Sequence, residues 1–141
     1  MAAAGRAAAL EAGLIAYARG DYFLAHELLE PAWMGTADLA ERDLLQGVIK
    51  VAAAFVHGAR GNAAGVRKNL HGAHELLASA VAAGETGARF ELDAAALVRA
   101  IEVRLAGTIA ADDQPIAIGR EEPPARRGSA SSPRERHGAV P

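Results

Sequence analysis

The sequence predicts an all-α protein: a single compact bundle of about five helices with a disordered C-terminal tail. Three observations carry that expectation. The 141 residues are 51% apolar but only 4% aromatic, and much of the apolar share is alanine, the strongest helix former. Apolar residues recur at helical spacing in five successive stretches. Between those stretches stand glycines and short polar residues suited to ending one helix and capping the next. A chain of this length has room for one domain.

The first helix is expected from about Arg6 to Arg19, with Leu10, Leu14 and Tyr17 on one face and Gly20 as its left-handed stop. Asp21 then caps the second, whose two apolar sides make it central. Pro31 lies inside that helix, where it removes one backbone bond and should kink or loosen the last turn before Met34-Gly35-Thr36. Asp38 and Glu41 have the spacing of a capping box, and the long third helix follows through Leu44, Val48, Ala52 and Phe55 to about Arg60. Its opposite stripe, Arg42, Gln46, Lys50 and His57, reads as a solvent face. Short Gly35–Ala37 and Gly61-Asn62 connections predict antiparallel neighbours. The fourth helix carries Val66, Leu70, Ala73, Leu77 and Ala80, with Gly65 and Gly72 beside them for close approach, and the fifth runs from about Asp93 to Ala106. Ala-His-Glu-Leu-Leu occurs at both 25–29 and 73–77, which suggests two similar hairpins in one bundle.

These boundaries divide the chain into a helical domain over 1–106, an extended strap over 107–120 and a tail over 121–141 of disorder-like composition. A net charge of −2 supplies no basic field for nucleic acid, and no partner of that kind is expected. The absence of cysteine removes disulfides and thiolate sites and fits a reducing compartment. Glu11 and Arg19 interrupt the alanine-rich N-terminus, and no stretch reaches the length of a membrane span. The expected setting is therefore cytoplasmic, without membrane attachment. A homo-oligomer is compatible with the sequence, which names no other partner.

The strongest site candidate is the run from Asp21 to Trp33. Offsets of four and seven residues place His26, Glu30 and Trp33 within about 60° on one helical face, with Tyr22 one turn before them. A histidine, a carboxylate and polar-edged aromatics in one stripe are costly in a core and unnecessary on a surface. His26 and Glu30 are a candidate ligand pair for a divalent metal such as zinc or manganese. His57 is the candidate third ligand and Gln46 a contact to substrate or ligand, provided the third helix turns that stripe toward the second. Glu27 follows His26 as in the His-Glu-x-x-His helix of zinc proteases, but Glu30 stands where that pattern has its second histidine. His71 and Glu75 are expected to form a solvated pair, and His74 to pack at the core edge.

His26-x-x-x-Glu30-x-x-Trp33 resembles the signature of a small bacterial and archaeal family described as domain of unknown function 309. The resemblance extends to Gly20-Asp21-Tyr22-Phe23, to Leu45-Gln46-Gly47 with Ile49, Ala52, Ala53 and His57, and to Gly61-Asn62 with Gly65, covering roughly residues 10–105. It implies a compact all-α domain and a proposed metal-binding role for the His/Glu pair, and it brings no activity with it. Pro31 and the polar tail depart from it.

Two readings of the motif stand side by side. In one, the His26/Glu30/Trp33 helix builds a metal- or small-molecule-binding site, with or without catalysis. In the other, the same residues form a buried hydrogen-bonded clamp in a non-catalytic interaction scaffold. An open cavity with His57 in reach would favour the first; a closed, fully bonded stripe would favour the second.

Overall fold

Helix-capping chemistry divides the chain as the local sequence predicts. The computed structural model describes residues 3–107 and 114–119. Its helices run Ala3–Ala18 (α1), Tyr22–Met34 (α2), Leu39–Ala59 (α3), Ala63–Ala82 (α4) and Ala94–Leu105 (α5), with one 3-10 turn at Ala88–Phe90. No strand occurs among the described residues, and the all-α class is correct. No described helix is long and apolar enough to cross a membrane. The expected tail over 121–141 lies outside the described residues, as do 108–113 and 120 of the expected strap.

Each cap satisfies an amide that the first turn of a helix leaves without a partner. Asp21 accepts from the Leu24 amide at 3.3 Å, Asp38 from Glu41 at 2.9 Å, Asn62 from Gly65 at 3.0 Å and Asp93 from Ala96 at 3.0 Å. Gly20 and Gly61 precede two of these caps with φ of +85° and +73°, the left-handed turn that glycine makes without strain. Pro31 does not break α2, which continues to Met34 and closes with the Gly35 amide donating to the Pro31 carbonyl at 3.1 Å.

The capping box expected at Asp38 and Glu41 is only half formed. Glu41 is 3% exposed and turns inward to Arg6 of α1 at 3.6 Å and Arg89 of the 3-10 turn at 3.3 Å. A carboxylate this buried needs cations more than it needs the exposed amide of its cap.

Contacts between neighbouring helices run in opposite sequence directions, so the bundle is antiparallel throughout. Gly13 meets Leu29, and Tyr17 meets Tyr22, between α1 and α2. Trp33 meets Arg42, and Tyr22 meets Phe55, between α2 and α3. Gly47 meets Leu77, Gly72 meets Lys50 and Gly65 meets His57 between α3 and α4. His74 and Arg67 of α4 bond to Glu102 and the Leu105 carbonyl of α5.

The two Ala-His-Glu-Leu-Leu runs are equivalent in the structure as well as in letters. In both, the alanine and the final leucine are buried, the histidine and first leucine half-buried and the glutamate exposed. A Cβ on Gly13 would lie 2.5 Å from Leu29 Cγ, and one on Gly47 would lie 2.6 Å from Leu77 Cγ. Each leucine thus fills a notch that a glycine leaves in the preceding helix.

Residues 115–119 carry no helix, and Ile116 among them is buried against the bundle. The Tyr17 hydroxyl donates to the Ile116 carbonyl and Arg104 donates to the Gln114 carbonyl. Burial, with Tyr22 adding to it, pushes the Tyr17 phenol far above its ordinary pKa; Arg104 and the bond to Ile116 act in the lowering direction.

Candidate functional site

Helix α2 presents Ala25, Leu29 and Ala32 to the core. His26, Glu30 and Trp33 therefore fall on its flank, at the seam with α3. There they line a crevice of about 240 Å³ together with Gln46, Ile49, Lys50 and Ala53 of α3 and Asn69 of α4. Pro31 does not turn Trp33 away from His26.

The polar groups of this crevice are poorly matched to one another. His26 Nε2 lies 3.7 Å from Glu30 Oε1, within ion-pair range but too long for a hydrogen bond. The His26 and Glu30 side chains are 35% and 39% exposed, yet Glu30 Oε1 is itself inaccessible and has no hydrogen-bond partner. Trp33 Nε1 is likewise buried without an acceptor, while the Arg42 guanidinium covers the indole face at 5.1 Å. One acceptor and one donor are thus withdrawn from solvent and left unmet, each costing about 1–3 kcal/mol. A clamp that satisfied its own members would not leave this pair open.

The α3 stripe is not the solvent face that its composition suggests. Gln46 and Lys50 are half-buried in the seam with α2, and Arg42 packs on Trp33. The aliphatic stem of Lys50 runs over Gly72 of α4, where a Cβ would stand 3.1 Å from Cδ and 3.4 Å from Cε. Lys50 was visible within the stripe, and only its orientation was missing. Asn69 carried no signal: it sits beside the apolar row of α4, and its amide donates to the Gly65 carbonyl at 2.9 Å.

Three candidates from the sequence are placed elsewhere. His57 does not line the crevice; its Nδ1 lies 3.1 Å from the Asn62 amide nitrogen, and its ring fills the space over Gly65. Tyr22 turns into the aromatic cluster with Tyr17 at 5.2 Å and Phe55 at 6.1 Å. It borders a separate cavity of about 480 Å³ between α1 and residues 115–118. Glu27 is exposed and faces neither cavity. His74, expected to pack, instead bonds Glu102 at 2.8 Å and ties α4 to α5.

The donor set does not fit a resident zinc or manganese ion. His26 and Glu30 supply two ligands, and no group of three or more His, Cys, Asp or Glu capable of holding a metal occurs among the described residues. Lys50 lines the same space, and its ammonium would oppose a divalent cation.

Comparison with known proteins agrees with the resemblance carried by the motifs. A family model described as Domain of unknown function (DUF309) matches residues 10–74, from α1 to most of the way along α4. The match stops before α5, short of the extent to residue 105 that the motifs suggested. No curated protein and no solved structure matches the chain.

Proposed function

We propose that the DUF309 region of this chain is a binding module for a small polar molecule, held in the crevice between α2, α3 and α4. The polar lining of that crevice, a carboxylate, an imidazole, two side-chain amides and an ammonium from three helices, carries this reading. Donors and acceptors that converge on one concave seam are the complement of a ligand that brings its own polar groups. His26 Nε2 stands 3.7 Å from Glu30 Oε1, and the Arg42 guanidinium covers the indole face. Gln46 and Asn69 add neutral amides, while Ile49 and Ala53 provide an apolar wall. The reading is one of binding, with no reaction assigned, in a cytoplasmic bacterial protein.

The protein contains one tryptophan, so its indole reports this crevice directly. Screening a library of small polar fragments by Trp33 fluorescence and by the single indole N–H resonance should find saturable binders, and Glu30→Gln should weaken them. A library that leaves the indole unchanged at millimolar concentration would remove the reading.

A second reading, the structural clamp, is favoured by the His26–Glu30 ion pair and by the arginine on Trp33. The two separate on the stability of Glu30→Gln without ligand. A clamp loses about 1–3 kcal/mol with its charge-assisted contact. A binding site holding an unmet carboxylate oxygen loses less than about 0.5 kcal/mol or becomes more stable. Urea melts of both proteins decide between them. Repeating the melts with chelator and with zinc or manganese should leave both midpoints unchanged, whereas a metal-dependent rise in the wild type alone would restore the metal site.

A further inference from the structure

We infer that the ligand of this crevice is a small zwitterion of amino-acid type, its ammonium group directed to Glu30 and its carboxylate to Lys50. The inference rests on the binding role proposed above and adds the chemical class of the ligand.

The charges that line the crevice are opposite, adjacent and unpaired with each other. Glu30 and Lys50 both border it, yet no ion pair joins them within 4.0 Å. Lys50 has no hydrogen-bond or ion-pair partner among the described residues, and its stem is held in place over Gly72. They stand on different helices, Glu30 on α2 and Lys50 on α3, and both border the crevice. A carboxylate and an ammonium held apart in a half-buried seam favour a molecule that bridges them with the reverse polarity.

A monoanion would meet Lys50 and leave the Glu30 carboxylate without a cationic group of the ligand. A monocation would meet Glu30 and leave Lys50 without an anionic one. A zwitterion meets both. The volume of about 240 Å³ restricts the ligand to a short molecule. It corresponds to roughly eight waters at about 30 Å³ each. Ile49 and Ala53 offer the spacer between the charged ends an apolar surface.

The test uses the full chain and the single Trp33 indole resonance. The probes are glycine, β-alanine, γ-aminobutyrate and 5-aminovalerate, which step the distance between the charges, together with n-alkyl carboxylates and n-alkylamines of matching length. At least one zwitterion should bind saturably and about tenfold or more tighter than both its matched carboxylate and its matched amine. Lys50→Met and Glu30→Gln should each remove about tenfold or more of that affinity while circular dichroism and melting midpoint show the fold retained. A carboxylate or amine that binds as tightly as its zwitterion overturns the proposal, and so does undiminished zwitterion affinity in Lys50→Met. If other polar fragments move the indole but no zwitterion does, the ligand class is wrong and the binding site stands. If nothing moves it, both fall.

Discussion

Glu41 is held by two arginines of unequal weight, and substitutions at the three positions should separate their contributions. The carboxylate is 3% exposed, whereas the Arg6 and Arg89 side chains are 16% and 63% exposed. Glu41→Gln leaves half-buried Arg6 beside an uncharged partner and should cost about 3 kcal/mol in urea melts. Arg89→Ala removes a solvent-screened contact and should cost less than about 1 kcal/mol. Tyr17 makes a different prediction because its phenol titrates higher in the folded chain than in the unfolded one. A group raised in this way stabilises the fold fully below its unfolded pKa of about 10 and loses that contribution as pH climbs toward the folded value. Tyr17→Phe should lower stability by about 1 kcal/mol near neutrality, through loss of the bond to the Ile116 carbonyl. Above about pH 10 the mutant should lose stability less steeply than the wild type, since one titrating phenol is gone. Denaturant melts across that range measure both effects, and parallel alkaline slopes would contradict the second.

At the scale of helices, the notch on α3 is the feature most sensitive to one added carbon. Alanine at position 47 would gain about 0.5–1 kcal/mol in helix propensity. Its Cβ would also stand 2.6 Å from Leu77 Cγ, and prising α3 from α4 to make room should cost about 1–3 kcal/mol. The net expectation is a destabilised Gly47→Ala, read from its melting midpoint, and a midpoint at or above wild type would show that Leu77 moves aside freely. Helix ends were legible beforehand because capping is local: Asp21, Asp38, Asn62 and Asp93 each bond an amide three residues on. The His26/Glu30/Trp33 face was legible for the same reason, as one helix and its period suffice. The rotation of α3 about its axis was not, because it depends on how Gly47 and Gly72 let α4 approach. Hence Gln46 was placed with the site while its stripe was read as a solvent face. His57 lies outside the crevice, seven residues and about 10 Å along the helix beyond Lys50, against Asn62 and Gly65. Tyr22 shares a face with His26 in helical projection, but it sits at the start of α2, where Tyr17 and Phe55 enclose it.

For the molecule as a whole, the bundle does not end with its last helix. A chain stopped after Gly107 loses the buried Ile116 and both backbone carbonyls that Tyr17 and Arg104 grip. It should melt several degrees lower, in keeping with about 1–3 kcal/mol of lost burial and bonding. A chain stopped after Gly119 keeps those contacts and should melt with the wild type, because the sequence beyond it has few apolar side chains to bury. Comparing the two truncations by calorimetry locates the true edge of the cooperative unit. The pair of identical knobs, Leu29 in its Gly13 notch and Leu77 in its Gly47 notch, carries a further consequence for how this chain finds its shape. While the chain is still assembling, either leucine is a locally acceptable occupant of either notch, so contact chemistry alone does not choose between them. Proximity along the chain does: Leu29 lies 16 residues from Gly13, and Leu77 lies 64. Two doublings of loop length separate the correct closure from the wrong one by only about 1.2 kcal/mol of chain entropy. The tight Gly20-Asp21 turn therefore acts as an arbiter between competing pairings, biasing the first collision toward the neighbour before α4 has formed.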